Sequence, residues 1–218
     1  MKGIILDLEI PYFSTFRKPT STSLILSFPV PPFTTVRGML ANALGLQRDD
    51  YSLQDIFRIG MSVLNKGDRN VEMAKILKLK PGMGKTIRDF PSSPMSREFL
   101  VQPSFRYFIA GEMTEVGILY QALKSPRRPL YLGQSDDLVE YSLSEPMDVE
   151  TVSTNEFFSA VSEVVAGSVL EKLPFKFHQK GYDWELESRL LSIPNQYPVY
   201  TIEKLDGFRF WEITVQLF

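Results

Sequence analysis

Hydrophobic positions in the first part of the chain follow two periods, one typical of strands and one typical of helices. GIILDLEIPYF at residues 3–13 is rich in Ile and Leu and alternates in part, which predicts a buried strand. Apolar residues then recur at helical spacing and end at Gly45, which predicts a helix over about 35–44. They are Val36, Leu40, Ala43 and Leu44. Gly38 inside this helix indicates close approach of a neighbouring backbone.

The same two periods return further along the chain. Strands are predicted at about 56–64 and 137–143 and within REFLVQPSFRYFIAG, residues 97–111, and TEVGILYQALKS predicts a helix over 114–125. The order strand, helix, strand therefore occurs twice. It predicts a ferredoxin-like domain of the α+β class over residues 1–145.

Two further regions complete the predicted architecture. Residues 66–98 separate the two halves of the domain, and they are basic with little periodicity. An insert this long in a compact domain is usually functional or disordered. After Pro146, the stretches DVETV, FHQKGYDWELESRLLSI and GFRFWEITVQLF resemble strands of an antiparallel sheet. They predict a smaller β-rich unit over 146–218.

The strand that contains Phe105 has two distinct faces. Phe105 and Tyr107 fall on one face, and Arg106 and Phe108 fall on the other. Aromatic side chains on a sheet can stack RNA bases, but the basic-Gly-aromatic signature of an RNA-recognition sheet is missing here. Packing in the core is therefore the predicted role of Phe105 and Tyr107.

Composition removes several kinds of chemistry. The chain has no Cys, so disulfides, thiolate zinc sites and thiol nucleophiles are excluded. Its single histidine, His178, argues against a histidine metal site or a Ser-His-Asp triad, and no cofactor or metal is predicted. No apolar run approaches about 18 residues, so no membrane span is expected and a cytoplasmic location is predicted.

Charge is unevenly distributed around a net value of −2. Residues 75–128 hold ten Lys and Arg against four Asp and Glu, and residues 129–218 hold six against fifteen. A basic middle segment is compatible with a phosphate-binding surface or with a solvated basic loop. Charge alone leaves both alternatives open.

KPGMGKT at residues 80–86 resembles the end of a nucleotide-binding P-loop. A P-loop also needs a glycine at position 79, where this chain has Leu79, and a helix directly after the motif. IRDFPSSPM follows instead, and its prolines do not allow that helix. The motif is better interpreted as a glycine turn at the tip of a basic hairpin, where Lys85 and Arg88 offer charge to a polyanion.

Three segments in this order and spacing carry a family resemblance. They are PPFTTVRGMLANALGL at 31–46, SSPMSREFLVQPSFRYFIAG at 92–111 and LYQALKSPRRPLYLGQSDDLVE at 119–140. Together they resemble the CRISPR-associated Cas-five (Cas5) family over roughly residues 1–145. The resemblance implies a ferredoxin-like (RRM-like) domain, a long β-hairpin thumb inserted after its second strand, and a variable β-rich C-terminal part.

The resemblance also implies a function. It implies a non-catalytic subunit that binds the 5′ handle of the guide RNA (crRNA) in a type I Cascade-like surveillance complex. The implied partners are the crRNA handle, the backbone subunit and the large subunit. Target DNA near the PAM is a further partner compatible with the resemblance, and no membrane partner is expected.

The resemblance assigns RNA contacts by position in this sequence. Arg37 would lie at a helix N-terminus, four cations would line or tip the thumb, three residues would lie on the strand that returns from it, and four would border the handle groove. In that order they are Arg37; Lys78, Lys80, Lys85 and Arg88; Arg97, Gln102 and Arg106; Arg127, Arg128, Tyr131 and Gln134.

Two alternatives remain open on the sequence. A branch of the family cleaves precursor RNA without metal, and such cleavage draws its acid and base from His, Tyr and Lys. The ferredoxin-like region here has no His, but a Tyr-Lys pair would still allow cleavage. The second alternative is a protein-interaction module that does not bind RNA and whose basic insert is only a loop.

Overall fold

The computed structural model describes residues 1–20, 24–77 and 92–218. These residues form an α+β structure with many strands and few helices. The helices are Phe33–Leu44 (α1), Leu53–Ile56 (α2) and Met113–Lys124 (α3). The strands are Lys2–Glu9 (β1), Phe13–Ser14 (β2), Leu24–Ile25 (β3), Arg58–Asn65 (β4), Asp68–Leu77 (β5), Ser92–Val101 (β6), Ser104–Gly111 (β7), Glu140–Leu143 (β8), Met147–Phe157 (β9), Ser168–Lys180 (β10), Asp183–Pro194 (β11), Val199–Phe210 (β12) and Ile213–Val215 (β13).

The largest sheet has the order β13-β12-β9-β1-β7-β4, and β8 pairs with β1 next to β9. All of these neighbours are antiparallel. Helix α1 follows β3 and α3 follows β7, at the places where the sequence predicts helices. None of the helices in the described ranges is long and apolar enough to cross a membrane.

The main core lies between this sheet and the helices. Phe105 and Tyr107 on β7 belong to it and are fully buried, whereas Phe108 belongs to a different core. The predicted separation of the β7 faces is therefore confirmed. Helix α1 presents Val36 and Leu40 to the same core and ends at Gly45, whose φ of 74° suits a residue without Cβ.

A second core lies on the other face of the sheet. It is built from Ile5, Phe108, Ala110, Met147, Val149, Phe208, Phe210, Val215 and Leu217. Residues 216–218 follow β13 and return to β4 at the opposite edge, where the backbones of Ile59 and Phe218 exchange hydrogen bonds of 3.0 and 3.1 Å. The two edges of the sheet are thus joined through the end of the chain.

Two further groups of strands flank the large sheet. Strand β6 pairs with β5 along ten residue pairs and also contacts β2 and β3. Strands β10 and β11 form a separate long hairpin. Its base joins the main core through Leu173, Phe175, Leu191 and Ile193, next to α1.

The boundary predicted near residue 146 lies at a point of contact between strands. Strand β9 pairs with β1 through Lys2 with Asp148 and Gly3 with Met147. The segments on both sides of this boundary therefore share one sheet. The division into two units stays a prediction.

Gly60 provides a stability test of how the sheet edges join. A Cβ at this position would lie 2.5 Å from the carbonyl oxygen of Gln216. We expect Gly60→Ala to lower the free energy of unfolding by about 1–3 kcal/mol, measured by urea denaturation. Gly117→Ala is the control, because a Cβ there meets no atom within 4 Å and should stabilise helix α3. Equal stability of the two variants would contradict the close packing of residues 216–218 on β4.

Candidate nucleic-acid interface

Two neighbouring clefts open beside helix α1. The first, of about 540 Å³, runs along α1 and is bounded by the segment before α2 and by β10. The second, of about 520 Å³, lies between the loop at residues 15–17 and strand β6. Thr35 and Gly133 line both clefts, so the two are adjacent.

The first cleft is lined by arginines, four aromatic residues, hydroxyl groups and the carboxylates of Asp49 and Asp50. Arg48 and Arg128 are exposed at its edge, and Tyr131 is 38% exposed. The Arg128 guanidinium donates hydrogen bonds to the carbonyls of Leu46 at 2.9 Å and Gly45 at 3.4 Å. A cation is stabilising at that end of α1, where carbonyls lack helical partners. Arg128 thus presents a positive charge at this edge of the cleft, whereas Arg48 is paired with Asp49 at 3.5 Å.

The exposed side of α1 keeps this cleft open at Gly38. A Cβ at Gly38 would meet no atom within 4 Å, and Gly38 lines the cleft. The close backbone approach predicted there is therefore wrong. The glycine leaves space along the helix surface instead.

The second cleft contains two arginines from distant parts of the chain. Arg97 on β6 donates to Glu72 on β5 and lies 5.5 Å from the ring centroid of Phe13. Arg17 is exposed, and it forms no ion pair within the described ranges. The charge of Arg17 is therefore available to an anion in this cleft.

A buried carboxylate fixes the loop where the clefts meet. Asp137 is 3% exposed, and its Oδ2 accepts hydrogen bonds from Ser14 Oγ at 2.8 Å and from the backbone N–H groups of Thr15 at 3.2 Å and Gln134 at 3.0 Å. Burial raises the pKa of Asp137 above its ordinary value, and the three hydrogen bonds oppose that change. Gly133 has a φ of 118° and no room for a Cβ beside Asp137.

Arg37 lies beneath the first cleft and is only 6% exposed. Its Nη1 donates to the carbonyl of Phe175, and its guanidinium lies 4.9 Å from the Phe175 ring and 5.8 Å from the Phe33 ring. Its Nε and Nη2 are buried and have no hydrogen-bond partner within the described ranges. Burial first, and Arg189 second, lower the pKa of Arg37 to about 10. Arg37 thus links α1 to the β10–β11 hairpin.

The predicted RNA contacts divide into three groups. Those that line the clefts are Arg37, Arg128 and Tyr131 in the first and Arg97 and Gln134 in the second. Three described residues, Gln102, Arg106 and Arg127, line neither cleft. Four of the predicted contacts lie outside the described residues: Lys78, Lys80, Lys85 and Arg88.

The three residues outside the clefts each have a local role. Arg106 binds both carboxylate oxygens of Asp7, at 2.6 and 2.7 Å. Gln102 lies in the turn between β6 and β7 with a φ of 50°, so its predicted position on the returning strand is wrong. The side chain of Arg127 packs over Gly45.

Sequence reasoning missed Arg17, Arg48 and Thr35 as cleft residues. Arg17 stands in the polar loop STFRKPTSTS, where a basic pair was the only signal. Arg48 follows the glycine that ends α1, and its position beside Arg128 depends on contacts across 80 residues. The local sequence pattern around each residue does not show that these distant residues meet at one cleft.

Substitutions at Arg37 separate its packing role from its charge. We expect Arg37→Met to keep the free energy of unfolding within about 1 kcal/mol of the parent, because Met fills the space between two phenyl rings and removes a buried charge. Arg37→Ala should lose about 2–3 kcal/mol by leaving a cavity. Urea denaturation measures both. If the Met variant is as unstable as the Ala variant, the bond to the Phe175 carbonyl dominates instead.

His178 lies on the β10–β11 hairpin and does not line either cleft. Its Nε2 is 2.7 Å from a carboxylate oxygen of Glu187, and the His178 side chain is 57% exposed. Within the ranges 1–20, 24–77 and 92–218, no group of three or more His, Cys, Asp or Glu residues could hold a metal ion.

Comparison with known proteins gives a family and a fold. The family model described as "CRISPR-associated protein (Cas_Cas5)" matches residues 3–211. The fold is similar to that of a chain in a CRISPR RNA-guided surveillance complex, with a TM-score of 0.59 and 18% identity over 90% of this chain and 91% of that chain. It is also similar to a CRISPR protein from Archaeoglobus fulgidus, with a TM-score of 0.56 and 14% identity over 99% of this chain and 98% of that chain. Among curated proteins, none matches.

Proposed function

The chain belongs to the Cas5 family of CRISPR-associated proteins, and from that premise we propose that it binds the 5′ handle of a guide RNA without cutting it. The binding site is the pair of adjacent clefts beside α1. The complex is a type I CRISPR interference complex, in which this chain is one subunit. The family match and the similarity in fold support a role in a CRISPR effector complex.

The observation that carries this proposal is the convergence of arginines on two adjacent clefts. Arg17, Arg97 and Arg128 come from three distant segments and line two clefts that share Thr35 and Gly133. Arg97 is paired with Glu72, so Arg17 and Arg128 are the members that offer charge to phosphates. A groove that follows a polynucleotide needs positive charges along its length, because each one displaces counterions from a phosphate. Tyr131 and Gln134 add a ring and an amide that could contact bases.

The strand order supports a finer description of the fold. The sheet contains the strand order β9-β1-β7-β4. Counted along the chain, these are the fourth, first, third and second strands, and this order suits a ferredoxin-like arrangement. Strands β5 and β6 leave this sheet between its second and third strands, where a thumb hairpin is expected. Val71 and Met73 on β5 are 65% and 70% exposed. These apolar side chains suit contact with a backbone subunit.

The large subunit and target DNA near the PAM are further proposed partners, and a cytoplasmic location remains proposed. Both partners would meet this chain around the bound handle. Pull-down of the individual subunits with and without guide RNA tests these contacts. If the large subunit is not pulled down by this chain, with or without guide RNA, the large subunit is not its partner.

An RNA-binding assay tests the proposed function directly. The purified chain is mixed with its own CRISPR repeat RNA over a range of salt concentrations, with and without excess EDTA, and the products are separated on a gel. We expect retention of intact RNA that weakens as salt rises. Cleavage to a defined product in EDTA would establish the endonuclease alternative, in which a Tyr-Lys pair supplies the acid and base.

A third outcome would favour the protein-interaction alternative. It is the absence of salt-sensitive RNA retention both by the chain alone and by the chain with its partner subunits. Under that outcome, the arginines of the clefts would serve contact with an acidic protein surface.

A further inference from the structure

The far half of the β10–β11 hairpin has two different faces. On one face the charges are paired: Lys176 with Asp55 at 2.9 Å, Lys180 with Glu185 at 3.3 Å and His178 with Glu187 at 2.7 Å. In the two lysine pairs the opposite charges neutralise each other, and the His178 imidazole contacts a carboxylate. The other face carries Trp184 and Leu186 instead, which are 49% and 38% exposed.

Tyr51 joins Phe177 and Trp184 in an aromatic cluster at this second face. The Tyr51 ring centroid lies 4.5 Å from that of Phe177 and 4.6 Å from that of Trp184. We name these three residues the aromatic platform. Trp184 has a large surface in contact with solvent, although burial of an aromatic ring is favourable.

The aromatic platform is held in place by the segment around α2. The side-chain amide of Gln54 donates to the Phe177 carbonyl at 2.8 Å and accepts from the Phe177 N–H at 2.9 Å. The ion pair of Lys176 with Asp55 adds a second link between the same two segments. A platform fixed in this way loses little conformational entropy when a flat ligand binds.

The aromatic platform continues the first cleft. Tyr51 and Phe177 line that cleft together with Arg48 and Arg128, and also with Asp49 and Asp50. Arg48 is paired with Asp49 at 3.5 Å, so Arg128 is the arginine that offers its charge to a phosphate there. Arginines that hold phosphates beside rings that stack bases are the two components of a single-strand binding groove. We propose that the aromatic platform stacks unpaired bases of the RNA strand where it leaves the first cleft, an inference that rests on the proposed function.

A docking site for a protein is the competing use of this face. Leu190 shares the Trp184 face of β11 by strand alternation and is 54% exposed, but its aliphatic side chain cannot stack on a base. A protein interface would use the whole apolar side, Leu190 included. A base-stacking site would use the rings of the aromatic platform and would not need Leu190. Leu190 is therefore the discriminating control.

The experiment uses tryptophan fluorescence. The chain has two tryptophans, Trp184 and Trp211, so Trp211→Phe leaves Trp184 as the single reporter. This variant is titrated with oligoadenylate of about ten nucleotides and with an abasic ribose-phosphate oligomer of equal length. We expect quenching of Trp184 emission by oligoadenylate and none by the abasic oligomer. We also expect Trp184→Ala to weaken oligoadenylate binding roughly tenfold, with Trp184→Phe between the two.

Each outcome separates the platform from the proposed function. Binding of oligoadenylate that depends on the cleft arginines but leaves Trp184 emission unchanged would overturn the platform alone. Failure of the parent to bind either oligomer or repeat RNA would overturn the proposed function with it. If Leu190→Ala weakens oligoadenylate binding as much as Trp184→Ala does, this face is a protein-docking site. The same conclusion follows if only a partner subunit quenches Trp184 emission. Thermal melting of each variant checks its fold.

Discussion

Alanine at both Arg17 and Arg128 is expected to lower the affinity for single-stranded RNA by about 10- to 100-fold at low salt. The slope of the logarithm of affinity against the logarithm of salt concentration should become shallower by about 1.4, since each lost phosphate contact on a single strand contributes about 0.7. Fluorescence anisotropy of a labelled repeat RNA at several salt concentrations measures both quantities. The change combines one arginine from each of the two clefts.

The size of this effect follows from the surroundings of the two side chains. Arg17 is exposed and forms no ion pair with a carboxylate of the described residues, so an RNA phosphate would not have to displace a competitor. Arg128 is oriented by the carbonyls at the end of α1, which keep its charge beside the groove. Because Arg128 also stabilises that helix end, the melting temperature of each variant must be measured.

A control with the same loss of charge is available on β12. Arg209 and Lys204 are exposed on that strand and line neither cleft. Their replacement by alanine should change affinity and salt slope much less than replacement of Arg17 and Arg128. Equal losses in the two double variants would mean that RNA responds only to net charge. An unchanged affinity in the cleft variant would contradict the proposed groove.

Much of the fold could be predicted because the local spacing of apolar residues shows which face of a helix or strand is buried. The alternation at Phe105 to Phe108 identified both faces of β7, and the spacing from Val36 to Leu44 identified α1. These patterns arise because each element buries one side, so a few neighbouring residues contain the signal. The order of elements along the chain then led to the α+β class.

The remaining features depend on contacts between distant residues. The return of residues 216–218 to β4 brings Phe218 to Ile59, and no local pattern marks that pairing. The family resemblance assigned Arg37 an RNA contact at a helix N-terminus, yet the hairpin at Phe175 covers it. Its contact with RNA stays a prediction. Arg17 reaches the groove only because β6 and the loop at Gly133 pack beside it.

The loop between the clefts should depend strongly on Asp137. We expect Asp137→Ala to lower the free energy of unfolding by about 2–4 kcal/mol, because the Thr15 and Gln134 N–H groups lose their shared acceptor. The Ser14 hydroxyl keeps the Leu132 carbonyl as an acceptor at 2.6 Å. RNA affinity should fall as well, since Gln134 and Tyr131 belong to the loop that Asp137 holds. Urea denaturation followed by anisotropy on the folded fraction measures the two effects. An Ala variant as stable as the parent would show that water replaces the carboxylate at no cost.

Asparagine at position 137 tests whether the oxygen or the charge of Asp137 matters. Asp137→Asn keeps one oxygen acceptor, so its loss of stability should be well below that of Asp137→Ala. Burial raises the native pKa of Asp137 above 3.8, so the native state holds this proton to higher pH than the unfolded state does. The contribution of Asp137 to stability is therefore fully present below 3.8 and falls as pH rises to the native pKa. The Asn variant has no such proton, and its stability relative to the parent should improve over this pH window. A relative stability that is flat with pH, or that moves the other way, would contradict a buried carboxylate with a raised pKa.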